Sequence, residues 1–171
     1  MAGLKFALAT ADDAIEIASL RTAVGVHLEK TYGPGHWSGV ATDRGVLRDV
    51  KAATLLVARS RGRIVGTLTL TRKKPWAIDV GYFTLCSRPL YLINMAVLPT
   101  QQRKGVGRAL LVEARKMAEL FPADAIRLDA YDAPAGAVGF YRRCGYRSRG
   151  RRTYRDAPLI YFELLVRQNR A

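Results

Sequence analysis

The residues best suited to chemistry lie in one run, Met95-Ala96-Val97-Leu98-Pro99-Thr100-Gln101-Gln102-Arg103-Lys104-Gly105-Val106-Gly107-Arg108. An apolar stretch, Tyr91 to Leu98, gives way to a short polar loop. The loop passes through a pair of glycines into a segment of helical period. A helix start exposes backbone N–H groups that lack intrahelical partners and carries partial positive charge, so it binds phosphate oxygens. Glycine at 105 and 107 removes the side-chain atoms that would hold such oxygens away and admits unusual φ values. Gln102, Arg103, Lys104 and Arg108 add donors and charge at the same point. Two widespread phosphate loops do not fit. The P-loop needs Gly-Lys-Ser/Thr after four variable residues, and the dinucleotide fingerprint needs glycine or alanine where Leu110 stands.

The pattern that remains, Gln102-x-x-Gly105-x-Gly107, resembles motif A of the GNAT N-acetyltransferase superfamily, Q/R-x-x-G-x-G/A. Upstream, Met95-Ala96-Val97-Leu98-Pro99 is similar to the strand end that precedes this motif in the family. Downstream, Gly139-Phe140-Tyr141-Arg142-Arg143-Cys144-Gly145-Tyr146 resembles motif B, (L/F)-Y-x-x-x-G-(F/Y). The match covers roughly Leu55 to Tyr161. It implies an α/β (α+β) acyl-CoA N-acyltransferase fold, a central mixed and splayed β-sheet flanked by helices. It also implies transfer of an acetyl group from acetyl-CoA to a primary amine of a small molecule or protein, by direct attack of the amine. The backbone of Met95, Ala96 and Val97 would then pair with the pantetheine arm. The N–H groups from Gln102 through Arg103, Lys104, Gly105, Val106 and Gly107 to Arg108 would hold the pyrophosphate. The thioester would sit between the strands Tyr91–Leu98 and Ala125–Ala130.

Transfer requires an unprotonated amine and a proton for the departing thiolate. Tyr141 matches the tyrosine that many relatives place near the sulfur. A phenol with a pKa near 10 is protonated at neutral pH and suited to giving a proton. The family's carboxylate base has no counterpart, because Tyr91, Ile93 and Asn94 occupy the matching stretch; Asn94 could orient a water or the amine. Asp132, the nearest carboxylate, reads as a helix cap before Pro134. Pro134 itself replaces an asparagine that contacts the cofactor in relatives. Imidazole is a residue type suited to act as a base; His27 falls on a helical stretch and His36 in a loop. Acceptor-side candidates are Tyr32, His36 and Trp37, with Trp76 and Tyr82 further off. Tyrosine and tryptophan rings attract ammonium groups through cation–π contact.

These residues need a scaffold, and the sequence sketches one. Leu4–Ala9 reads as a short strand; Thr10, Asp12 and Asp13 cap a helix carrying Ile15, Ile17, Leu20 and Val24. Thr31–Gly39 is a Gly/Pro loop and Asp43–Val50 a short helix. Leu55–Ala58 and Ile64–Leu70 form a hairpin about Ser60-Arg61-Gly62-Arg63. Arg72–Pro89 is irregular. Tyr91–Leu98 is apolar enough to be buried on both faces. Val106, Leu110, Ala114 and Met117 mark a helical stripe that Pro122 ends. A strand Ala125–Ala130, a helix Ala135–Arg143 closed by Gly145, and strands near Tyr146–Thr153 and Leu159–Val166 complete a single domain over residues 1–171.

The chain has 171 residues, two cysteines and no apolar run long enough to span a bilayer. Cys86 and Cys144 read as small buried residues, and no Cys/His spacing suits a metal. The expectation is a cytoplasmic protein whose partners are acetyl-CoA and an amine, with no membrane role; a homodimer is left open. Net charge is +14, from 28 Lys plus Arg against 14 Asp plus Glu. Arg142, Arg143, Arg147, Arg149, Arg151, Arg152 and Arg155 form one dense cluster, and Arg72, Lys73 and Lys74 another. Such charge would also serve a nucleic-acid-binding domain, but no nucleic-acid-reading motif accompanies it, and nucleic acid is not the expected partner. A non-catalytic acyl-CoA sensor is the other alternative, supported by the missing carboxylate.

Overall fold

The structure is a computed structural model, and it describes residues 3–166. In chain order the elements are β1 (Lys5–Leu8), α1 (Ala14–Tyr32), α2 (Asp43–Ala52), β2 (Thr54–Ser60), β3 (Arg63–Thr71) and β4 (Pro89–Val97). There follow α3 (Val106–Leu120), β5 (Ala125–Tyr131), α4 (Val138–Arg143), β6 (Arg147–Tyr154) and β7 (Ala157–Leu165). The strands form one seven-stranded sheet in the order β1-β2-β3-β4-β5-β7-β6. It is mixed, as expected: β4 and β5 run parallel, whereas β1–β2, β2–β3, β5–β7 and β6–β7 are antiparallel. Two compact units divide the chain, Met1–Leu70 with Ile93–Ala114, and Thr71–Leu92 with Arg115–Ala171.

In the first unit, the chain enters α1 through a capping box, with the Thr10 N–H donating to the Asp13 carboxylate at 2.9 Å. α2 is capped by Thr42, whose hydroxyl accepts the Gly45 N–H at 3.1 Å. Ile17, Leu20 and Val46 from these helices pack on Leu55, Val57, Ile64 and Ala96 of the strands. The β2–β3 hairpin turns through Arg61 and Gly62 at φ 49° and 80°, the two positive values that suit the twist of paired strands. Gly66 admits α3: a Cβ there would lie 2.9 Å from Leu110 and 3.0 Å from Val106. The first turn of α3 is therefore seated directly on β3.

The second unit is built on β5 and β7, whose register places Arg127 opposite Glu163. Both are almost fully buried, and Arg127 Nε donates to Glu163 Oε1 at 3.0 Å. The Thr84 hydroxyl donates to Glu163 Oε2 at 2.7 Å, while Arg127 also donates to the Thr84 carbonyl and lies under the Phe83 ring. The Tyr161 hydroxyl donates to the Ala77 carbonyl and accepts the Asp79 N–H. The irregular stretch after β3 is thus pinned to the sheet by buried polar groups. Ile78 and Phe83 pack with Tyr91 and Tyr161 beneath it.

Four sequence expectations are corrected. β4 is not buried along its length: Leu90, Tyr91 and Leu92 are, but Asn94 is exposed and its neighbours half-buried. The cause is Asn94 itself, whose φ of 52° interrupts the alternation of the strand. Asp132 caps nothing, because α4 starts six residues later; its carboxylate instead pairs with Arg151 Nε at 2.7 Å. The helix expected from Ala135 is confined to Val138–Arg143. Both cysteines are half-buried rather than core residues.

Removing one partner of a buried ion pair strands the other charge. Arg127→Met should therefore cost about 3–5 kcal/mol in urea unfolding, and the added Glu163→Leu should recover much of it. A single-variant loss below about 1 kcal/mol would show that the pair does not organise this unit.

Candidate functional site

The loop leaving β4 is braced at three points before α3 begins. The Leu98 N–H donates to the Val65 carbonyl at 3.0 Å, the Gln101 N–H to Leu98 O at 2.8 Å, and Gln102 Nε2 to the Val97 carbonyl at 3.1 Å. Gln102 thus spends a donor on the scaffold, not on a ligand as its place in the motif suggested. Arg103 and Gly105 then take φ values of 60° and 83°, with Lys104 between them outside the positive range. Alternation of this kind turns successive N–H groups toward one concave side. The first helical bond is Ala109 N–H to Gly105 O at 3.0 Å. The N–H groups in the first turn of α3, from Val106, lack intrahelical partners as at any helix start. A Cβ built at Gly105 meets nothing within 4 Å, so the approach is open. Arg103, Lys104 and Arg108 stand exposed around it. A groove of about 820 Å³, lined by Phe6, Arg61, Arg63, Val65, Lys104 and Gly105 among others, flanks the loop. Helix-start donors in one cradle, ringed by cations, fit a pyrophosphate.

Of the remaining residues singled out in the sequence, Ala96 faces the core of the first unit and Met95 is half-buried. Gly107 lies in the first turn of α3, beside the buried Val106. Tyr32 ends α1, and His36 and Trp37 lie on the connection to α2, where Trp37 Nε1 donates to the Gly33 carbonyl at 3.1 Å. His27 is an exposed position on α1. Trp76 is almost wholly exposed, and Tyr82 meets Tyr161 edge-on.

Tyr141 is buried on α4, which ends in a Schellman turn. The Tyr146 N–H donates to Tyr141 O and the Gly145 N–H to Arg142 O, both at 3.1 Å. The rings of Tyr141 and Tyr146 meet at 5.7 Å across that turn, and Phe162 packs on Tyr141 at 5.8 Å. Burial pushes the Tyr141 phenol far above its ordinary pKa, and the carboxylate of Asp129 and then Cys144 push the same way. Tyr141 is therefore a proton holder at any physiological pH.

Two carboxylates escaped the sequence reading. Asp129 on β5 is half-buried, and its desolvation raises its pKa; the signal for it was a lone acid in an apolar run. Asp49 on α2 accepts from Asn94 Nδ2 at 3.2 Å, a contact between residues 45 apart that no local pattern announces. The arginine cluster is less bare than its composition suggests. Arg149 pairs with Glu163 at 3.5 Å, Arg151 with Asp132, and Arg152 with Asp79. Among the described residues there is no group of three metal-ligating side chains, and no helix is long and apolar enough to cross a membrane.

A mixed sheet whose fourth strand feeds a glycine turn and a helix start defines the acyl-CoA N-acyltransferase class of fold. Residues 51–148 match the acetyltransferase (GNAT) domain model, more than half of the chain. The chain belongs to the GNAT acetyltransferase family, a family of acyltransferases. It is 31% identical over 68 residues to YvbK of Bacillus subtilis (strain 168), an uncharacterized N-acetyltransferase. That alignment takes in 39% of this chain and 44% of the relative, so the chain spans under half the length of that protein. YncA of Salmonella typhimurium, solved with its cofactor acetyl-CoA, superposes with a TM-score of 0.73 at 16% identity, over 98% of this chain and 96% of that one. The PaiA N-acetyltransferase of Thermoplasma acidophilum, solved in complex with coenzyme A, gives 0.70 at 14% identity, over 93% and 98%. At such identities these two structures show the fold.

Because burial raises the phenols of both Tyr141 and Tyr146 above their unfolded value, the unfolded chain loses these protons first as pH rises. Their contribution to stability is full below about pH 10 and falls away above it. In an alkaline titration followed by tyrosinate absorbance, both should ionise only together with loss of the near-UV circular dichroism. Removal of either by phenylalanine should leave the early, reversible part of the titration unchanged.

Proposed function

We propose that the protein is an N-acetyltransferase that uses acetyl-CoA as co-substrate and acetylates a primary amine of a small molecule or a protein by direct attack. The observation that carries this reading is the start of α3, where a glycine turn delivers N–H groups without intrahelical partners beside Arg103, Lys104 and Arg108. These groups, with the side chains of Arg103, Lys104 and Arg108, would hold the pyrophosphate of the cofactor, and the backbone of Met95, Ala96 and Val97 its pantetheine arm. Bound acetyl-CoA supplies an activated acetyl group on a thioester. The amine nitrogen forms a bond to the acetyl carbon, the carbon–sulfur bond breaks, and the departing sulfur takes a proton. Tyr141, kept protonated by burial, is the donor of that proton. Tyr32, His36 and Trp37 contribute to the acceptor side, where aromatic rings favour a cation.

Gly107→Asp tests the cradle. An aspartate in the first turn of a helix is itself well tolerated, so the fold should persist by circular dichroism. Its side chain and charge would occupy the phosphate position, and acetyl-CoA affinity in calorimetry should fall about a hundredfold or more, since hydrogen bonds to a charged group contribute about 1.5–3 kcal/mol each. Unchanged affinity in a folded variant would overturn the reading.

Tyr141→Phe keeps the ring packing and removes the hydroxyl. General acid assistance contributes about 10²–10⁴-fold, and a thiolate, with a pKa near 8.5, leaves partly unaided, so kcat should fall by about the lower figure. Acetyl-CoA affinity should be unchanged. Equal kcat in both proteins across pH, with chemistry limiting the rate, would reduce Tyr141 to a core aromatic.

A further inference from the structure

Asp49 belongs to no motif, yet side chains from two other elements converge on it. Its Oδ2 accepts from Arg21 Nη1 at 2.7 Å and from Asn94 Nδ2 at 3.2 Å. Arg21 is itself steadied by donating from Nη2 to the Thr69 hydroxyl at 3.3 Å. α1, α2, β3 and β4 thus contribute one side chain each, all within the first unit. Among the described residues no donor reaches Asp49 Oδ1, and the side chain keeps 26% of its surface open to solvent.

One carboxylate oxygen is therefore committed to orientation and the other is left to receive a donor from outside. Asn94 adds to this. Its φ of 52° carries it out of the regular strand path, and its side chain is exposed. With one amide N–H spent on Asp49, it still offers its carbonyl oxygen and a second N–H. The pair presents two acceptor oxygens, with the second Asn94 amide N–H and the Arg21 guanidinium beside them. A primary ammonium, with three donors and no acceptor, is the complement of such a pair. An ion pair that served only to join α1 to α2 would need neither Asn94 nor an open oxygen.

The geometry points to Asp49, with Asn94, as the docking group for the ammonium form of the acceptor amine, and to Arg21 and Thr69 as the residues that position it. This rests on the acetyl-transfer reading above and names its acceptor subsite. The ammonium is held by charge and hydrogen bonds and releases its proton to solvent before the nitrogen attacks. Asp49 thus sets which acceptors are taken.

The test is thiol release by the full chain with tyramine, spermidine, kanamycin and a peptide with an N-terminal alanine as acceptors, alongside calorimetry with acetyl-CoA. For any acceptor turned over, Asp49→Asn should raise the amine KM at least tenfold, change kcat less than threefold and leave acetyl-CoA affinity unaltered. Asp49→Glu should recover part of the loss. A merely structural role would instead lower the melting temperature, kcat and acetyl-CoA affinity together and leave KM in place, which overturns the inference but not the acetyl-transfer reading. Acetyl-CoA binding without turnover of any of the four amines overturns it as well. Failure of the parent to bind acetyl-CoA overturns both. If Asp49→Asn does not fold, Asn94→Ala carries the same test, because it removes one acceptor oxygen and spares the Arg21–Asp49 pair; its KM should rise at least threefold, and an unchanged KM overturns the inference.

Discussion

The turn from Arg103 into the first residues of α3 opens backbone N–H groups to a ligand, and much of the first unit is arranged around that constraint. An unpaired peptide N–H away from water costs as much as a lost hydrogen bond, so the donors must stay open and the loop that bears them must not collapse. The loop is held from outside: Leu98 bonds to Val65, Gln102 turns back to Val97, and Gly66 lets the first turn of α3 sit on β3. The positive φ values at Arg103 and Gly105 then aim the donors. Gly105 reaches its value without strain; Arg103 is the non-glycine residue that the braced loop holds there.

The second unit solves a different problem. A long irregular segment carries backbone polar groups that no neighbouring strand satisfies. Here Arg127, Glu163 and Tyr161 reach out from the sheet to meet it, with Thr84, Cys86, Ala77 and Asp79 as their partners. Buried charge of this kind contributes little net stability compared with apolar residues, but it tolerates no missing member. Its effect is to give the segment one position.

The excess of positive charge takes on a more limited meaning beside these pairings. Arg149, Arg151 and Arg152 are matched by carboxylates, so the cluster on β6 presents less free charge than its composition implies. The exposed cations at Arg103, Lys104 and Arg108 surround the open donors. Long-range attraction of an anionic cofactor needs no more than that.

The cradle was legible in the sequence because it is local: an apolar strand, a polar loop and glycines at 105 and 107 lie within a dozen residues, and their chemistry follows from adjacency. The hairpin at Arg61-Gly62, the helix from Val106 and the end of α4 at Gly145 were legible for the same reason. Where one residue departs from the rule of its neighbours, the pattern misleads. Asn94 lies in an apolar run that reads as an evenly buried strand, and Asp132 precedes a proline as a cap would, yet bonds to Arg151. What no pattern could supply are the partnerships across long stretches of chain: Arg127 with Glu163, 36 residues on, and Asp49 with Asn94, 45 residues on. Side-chain periodicity tells which face of an element is buried, but the partner of a buried or oriented charge is chosen by how elements pack. That choice exists only in the tertiary structure.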